Sequence, residues 1–112
     1  MFVKTVKLLY VYISVVLSDE CLLDIAKNLG RSWTEVGIRL GMDKTELDNI
    51  ESESRSVSQK AFDMLIKWNQ QADGSKEVKV AQLTSALLKE GRRDVVRLLD
   101  DYKTKSKACN IL

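Results

Sequence analysis

The chain closes on Cys109-Asn110-Ile111-Leu112, four residues whose types and order suit a specific reaction. A cysteine, a free position, an aliphatic residue and a terminal leucine have the form of a prenylation signal, and the leucine favours geranylgeranyl transfer to the Cys109 thiol. One prenyl chain holds a protein to a membrane only marginally. Lys103, Lys105 and Lys107 supply the second signal, worth about 1 kcal/mol for each lysine near an anionic surface. The same stretch also reads as a polar tail with a chance cysteine, because a four-residue motif is short. The other cysteine, Cys21, has no base to activate it and reads as a partly buried, chemically quiet side chain. With 0 His and 2 Cys, the chain lacks the residues for a Cys/His zinc site or for a Ser/His or Cys/His catalytic pair. Asp100 and Asp101 are adjacent, so on a helix their carboxylates point to different faces. No nucleophile, base and oxyanion donor can be assembled, which makes the chain a non-enzyme with no cofactor.

What must position these residues is a small domain. A chain of 112 residues has room for one core and not for two. With 45% hydrophobic and 30% charged residues the composition is that of an ordinary folded domain, and a net charge of +2 selects no partner. Proline is absent, while Gly30, Gly41, Gly74 and Gly91 recur as punctuation, which predicts helices ended by glycine stops.

Residues 1–17 stand apart, with two lysines followed by an apolar run from Leu8 to Leu17 broken by Ser14. The run is too short to span a bilayer as a helix. It reads either as a secretory leader cleaved ahead of Ser18 or as an extra apolar segment packed on the domain. From Ser18 the period becomes helical. Leu22, Ile25, Ala26 and Leu29 form one stripe, with Ser18 as N-cap, and predict a helix over 19–29. Ser32 and Glu35 read as a capping box for a second helix carrying Trp33, Val36, Gly37 and Leu40. A third helix starts at Asp43 as N-cap with Glu46 at its third position, buries Leu47 and Ile50, and ends near Glu53. Ser56 and Gln59 cap a fourth, expected to be the longest, with Ala61, Leu65 and Trp68 on one face. A fifth carries Val80, Leu83 and Leu87, and a sixth carries Val95, Leu98, Leu99 and Tyr102. Trp33 and Trp68 fall on these stripes and are therefore expected in the core, not on a surface. The expected architecture is all-α, a bundle of six short antiparallel helices.

The order of these residues resembles the death domain, a six-helix Greek-key bundle. The resemblance runs from Leu22 to Asp100. It rests on Ile25-Ala26-Lys27-Asn28-Leu29-Gly30-Arg31-Ser32-Trp33 into Val36 and Leu40-Gly41, on Leu47, Ile50, Glu51, Gln59, Leu65 and Trp68, and on Leu83, Ala86, Leu87 and Gly91-Arg92-Arg93-Asp94-Val95-Val96 through Leu99. Among subfamilies it is most similar to the death domains of ankyrins and of the Fas-associated adaptor. Two positions depart from the pattern: Val78-Lys79 stands where many members open helix 5 with Ala-Thr, so that cap is missing, and Gly37 replaces a helix 2 alanine. The resemblance implies a death domain over 18–103, a basic tail over 104–112, and an interaction module that binds other death domains homotypically through three asymmetric, head-to-tail surface pairings. It also implies a cytoplasmic adaptor or regulator of apoptotic or inflammatory signalling, drawn to the membrane if Cys109 is prenylated.

Charge is segregated in a way that suits such pairing. Asp43, Glu46, Asp48, Glu51 and Glu53 make the third helix acidic, while Arg31, Arg39, Lys89, Arg92 and Arg93 fall on the second helix and in turns. Each alone is a solvated side chain; as two sets of opposite sign they are candidate partner-binding surfaces, with Asp94 a candidate cap of the sixth helix. Nucleic acid is disfavoured, because no helix gathers Lys and Arg on one face and the acidic helix would repel phosphate. Two other readings stay open: a short form or fragment of a death-domain receptor or ankyrin-like scaffold, and a secreted helical bundle if residues 1–17 are removed.

Overall fold

The computed structural model describes residues 16–53 and 56–111, with side chains as far as Lys103. Its described residues hold six α-helices and no strand: α1 Asp19–Leu29, α2 Trp33–Arg39, α3 Lys44–Glu53, α4 Val57–Gln71, α5 Lys76–Lys89 and α6 Arg93–Ile111, with a 3-10 turn over Gly30–Ser32. α4 lies at the centre of the packing, against α1, α2 and α3; α1 also packs on α6, and α6 on α5.

The helix starts follow local chemistry. The hydroxyls of Ser18, Ser56 and Ser75 accept the backbone N–H groups of Cys21, Gln59 and Val78, at 3.3, 3.1 and 3.3 Å. α5 is therefore capped by Ser75, upstream of Val78-Lys79 where the cap was expected to be missing. At α3 the Asp43 N–H donates to Glu46 Oε2 at 3.3 Å, the reciprocal half of a capping box. The box expected at Ser32 and Glu35 does not form. Ser32 has helical dihedrals and makes no side-chain cap, because the 3-10 turn runs straight into α2 and the Trp33 N–H is satisfied by the Gly30 carbonyl.

Two helices end in Schellman motifs. At α2 the N–H groups of Gly41 and Met42 donate to the carbonyls of Ile38 and Gly37; at α5 those of Gly91 and Arg92 donate to Leu88 and Leu87. Gly41 and Gly91, at φ 86° and 70°, adopt the left-handed backbone that the motif needs. The sixth helix departs most from expectation. It spans 19 residues against 15 for α4, so α6 is the longest, and its backbone continues through the segment read as a tail.

Of the residues expected inside, Leu22, Ile25, Leu29, Trp33, Val36, Leu47, Ile50, Leu65, Trp68, Leu83, Leu87 and Val95 are buried, whereas Leu40 and Leu98 are only half-buried at the edge of the core. Leu40 is the C-cap just past the end of α2, and in α6 the inward stripe runs through Val95, Leu99 and Tyr102, leaving Leu98 beside it. Met64 belongs to the core as well. The core also begins earlier than Ser18. Val16 and Leu17 are 4% and 2% exposed, and Leu17 is held at φ 64°. A left-handed backbone costs a non-glycine residue roughly 1–2 kcal/mol, which burying its side chain, at about 1.5–3 kcal/mol, offsets. Residues 1–15, and with them most of the stretch read as a leader or packed extension, lie outside the described residues.

Gly37 shows why a helix interior tolerates glycine. A Cβ placed there would stand 2.8 Å from Leu47 Cδ2 and 3.3 Å from Met64 Cγ, both side chains buried. The helix-propensity gain of alanine over glycine is about 1 kcal/mol, and forcing a methyl into packed side chains costs about 1–3 kcal/mol. Gly37→Ala is expected to destabilise the domain by about 1 kcal/mol net, read as a lower urea midpoint. A raised midpoint would show that Leu47 repacks freely.

Candidate interaction surfaces

The acidic set is carried by α3, whose buried residues Leu47 and Ile50 turn its other faces outward. Its members divide by use. Glu46 is engaged inside the domain: besides the Asp43 N–H, its Oε1 accepts from Gln71 Nε2 at 2.7 Å, tying the start of α3 to the end of α4. Glu51 pairs with Lys60 of α4 at 2.6 Å. Asp43, Asp48 and Glu53 are exposed, and their carboxylates carry no ion pair among the described residues. Asp48 and Glu51 are three residues apart and so share one outer face.

The basic set separates into two places. Arg39 and Lys89 line one groove between α2 and α5, of about 520 Å³, with Leu40, Gly41, Val78 and Ala81 beside them. Arg39 Nε donates to Glu90 Oε1 at 2.6 Å, which joins the ends of α2 and α5. Its neighbour Ile38 is 56% exposed, a large apolar residue off the buried stripe. A helical wheel of α2 places Ile38 off that stripe, a signal that charge alone does not carry.

Arg31, Arg92 and Arg93 fall at the second place, where the α5–α6 turn meets the end of α1. Arg92 is not a free surface cation. Its Nη1 donates to the Leu29 carbonyl at 2.7 Å and to Ser32 Oγ at 3.0 Å, and its Nη2 to the Asn28 carbonyl. Its Nε and Nη2 also reach the two oxygens of Asp94 at 3.1 and 3.0 Å. The planar five-donor fork of arginine is what permits this many partners. The Schellman turn at Gly91 delivers Arg92 there, and the carbonyls that it takes are among those a helix C-terminus leaves unpaired. Asp94 is thus a partner of Arg92, and that hydrogen bond is the chief reason its carboxyl titrates below the usual range. Arg31 and Arg93 stay exposed.

Two further ionisable groups are structural. Tyr102 of α6 donates its hydroxyl to Asp24 of α1; burial, and then that bond, push the Tyr102 phenol far above its ordinary value. Burial likewise pushes the Cys21 thiol up, as befits a wholly buried cysteine. The side chains of Lys105, Lys107 and Cys109 lie outside the described residues, and no described helix is long and apolar enough to cross a membrane.

This combination, six helices around a central α4 with acidic α3 and basic turns, coincides with a family profile described as "Death domain", which matches residues 18–103. The chain belongs to the death-domain family. A curated human relative, receptor-interacting serine/threonine-protein kinase 1, is 32% identical over 85 residues, covering 74% of this chain and 12% of that protein. The death domain therefore spans about an eighth of the relative's length, and the kinase activity in that protein's name is not carried by the match. No solved structure gives a significant match. Death domains are non-catalytic folds that bind one another in signalling assemblies, so the chain is a protein–protein interaction module.

Proposed function

We propose that this death domain serves as an adaptor or regulator of apoptotic or inflammatory signalling complexes, and that it joins them head to tail. In this reading the exposed acids of α3 on one domain meet basic groups, Arg31, Lys89 and Arg93, on the next. The observation that supports it is the division within each charged set: after internal pairing, Asp43, Asp48 and Glu53 on one side and Arg31, Lys89 and Arg93 on the other are all exposed. Contacts between two different patches propagate instead of closing into a two-fold dimer, and charge complementarity selects the partner and speeds encounter.

The test is charge reversal. Asp48→Lys with Glu51→Lys should abolish capture of partner death domains in a pull-down, with helicity by circular dichroism unchanged. Fold is spared because the Glu51 side chain is 57% exposed, and an ion pair reaching the surface in this way contributes only about 0–1 kcal/mol. Mixing this chain with one carrying Lys89→Glu and Arg93→Glu should restore association between the two. Unchanged capture by the reversed chain sinks the reading.

A further inference from the structure

The Ser32 hydroxyl is used differently from those of the capping serines. Ser18, Ser56 and Ser75 accept backbone N–H groups at helix starts, whereas Ser32 Oγ accepts from the Arg92 guanidinium at 3.0 Å. Two further cations stand at the same corner. Arg31 precedes Ser32 in the 3-10 turn and Arg93 follows Arg92; both are exposed, and neither makes an ion pair among the described residues. Asp94 is the carboxylate held there, by Arg92, so the arginines leave a surplus of positive charge. Glu35 lines a separate hollow with Ile38, Arg39 and Glu90.

Positive charge gathered around a half-buried hydroxyl is a setting that suits a phosphoserine. Near neutral pH its phosphate carries about −1.5 to −2 charge and offers three strong acceptor oxygens. One of them can take the Arg92 Nη1 donor that now reaches Ser32 Oγ, and Arg31 and Arg93 stand exposed for the others. A guanidinium–phosphate bond, charged on both sides and able to engage two N–H groups, is stronger than a bond to a hydroxyl. The sequence around Ser32 points the same way. Ser32-Trp33-Thr34-Glu35 has the spacing of a capping box that does not form, and Glu35 is exposed. A serine followed at that spacing by a carboxylate is also the pattern that acid-directed serine/threonine kinases accept.

We propose that Ser32 is a phosphorylation site whose phosphate is received by Arg92, Arg31 and Arg93. In the transfer, Ser32 Oγ bonds to the γ-phosphorus of ATP as the bond to the β-phosphate oxygen breaks; the hydroxyl proton passes to the kinase's base and ADP leaves. The added charge cancels the surplus at this corner. Arg31 and Arg93 are then engaged within their own domain and withdrawn from the acids of α3 on the next, a consequence that rests on the charge-pairing reading above, whereas the site does not.

The experiment has two arms. In the first, the full chain is incubated with casein kinase II and magnesium ATP, and the products are mapped by mass spectrometry. Phosphate is expected on Ser32, with incorporation reduced about tenfold or more by Glu35→Gln, which removes the charge that the kinase reads. In the second, phosphoserine is encoded in place of Ser32 and the melting temperature is measured. A rise of about 5 °C is expected, and Arg31→Gln with Arg93→Gln, both at exposed positions, should remove about half of it or more. The absence of phosphate on Ser32 overturns the proposal. So does a melting temperature lowered by the encoded phosphoserine, or a rise that persists in full without Arg31 and Arg93. A raised melting temperature with undiminished capture of partner death domains upholds the site and counts against the charge-pairing reading alone.

Discussion

Trp68→Ala is expected to lower the stability of this death domain by about 3–5 kcal/mol, the range for deleting a buried tryptophan. Trp68 is 2% exposed and sits on α4, the helix that packs against α1, α2 and α3 at once. A cavity there is bordered by three helices held in place by their other contacts, so collapse can recover little of the loss. Domains of this size are stable by only about 5–15 kcal/mol, and the melting temperature should fall on the order of 20 °C. Thermal denaturation followed by circular dichroism measures it. A fall of less than about 5 °C would mean that the indole contributes little to the core.

Arg92→Ala should cost about 2–3 kcal/mol, more than any other change to a charged residue here. The guanidinium fastens the α5–α6 turn to the carbonyls of Asn28 and Leu29 and to Ser32, and its removal leaves those acceptors without their charged donor. Arg92→Lys should recover less than half of the loss, because an ammonium cannot reproduce the fork. Asp94→Asn should cost far less, since the Asp94 side chain is 62% exposed. The Asp94 contribution has a definite pH sign. Its carboxyl titrates lower in the folded chain than when unfolded, so the contribution is present above the ordinary carboxylate range and is lost as pH falls through it. Urea midpoints of wild type and Asp94→Asn should converge in acid. If Arg92→Ala instead leaves the midpoint unchanged while weakening partner capture, Arg92 belongs to the binding surface after all.

The contrast between Arg92 and Asp48 shows what was legible beforehand. Charge and position mark both as candidate partner-binding residues. Asp48 stays exposed, on a helix whose inward residues Leu47 and Ile50 can be read from their spacing. Arg92 turns inward because of partners 60 to 64 residues away, Ser32, Leu29 and Asn28, which no local pattern couples to it. Ser32 fails in the same way. Its spacing to Glu35 is that of a capping box, yet the 3-10 turn satisfies the first N–H of α2 and frees the hydroxyl to accept from Arg92. Type and period place Leu40 and Leu98 inside, but a helix terminus and a small rotation of the stripe put them at the rim.

The amino-acid sequence by itself determined the all-α class, the helices, the serine caps of α1 and α4 and the glycine stops, because these depend on groups within about five residues of one another. It also determined most of the core, through the period at which apolar residues recur. Only the tertiary structure decided which charges are consumed within the domain, that Val16 and Leu17 belong to its core, and that Gly37 makes room for Leu47 and Met64. Those outcomes depend on which helices meet and at what distance, and contacts between residues far apart in the chain leave no periodic mark on it.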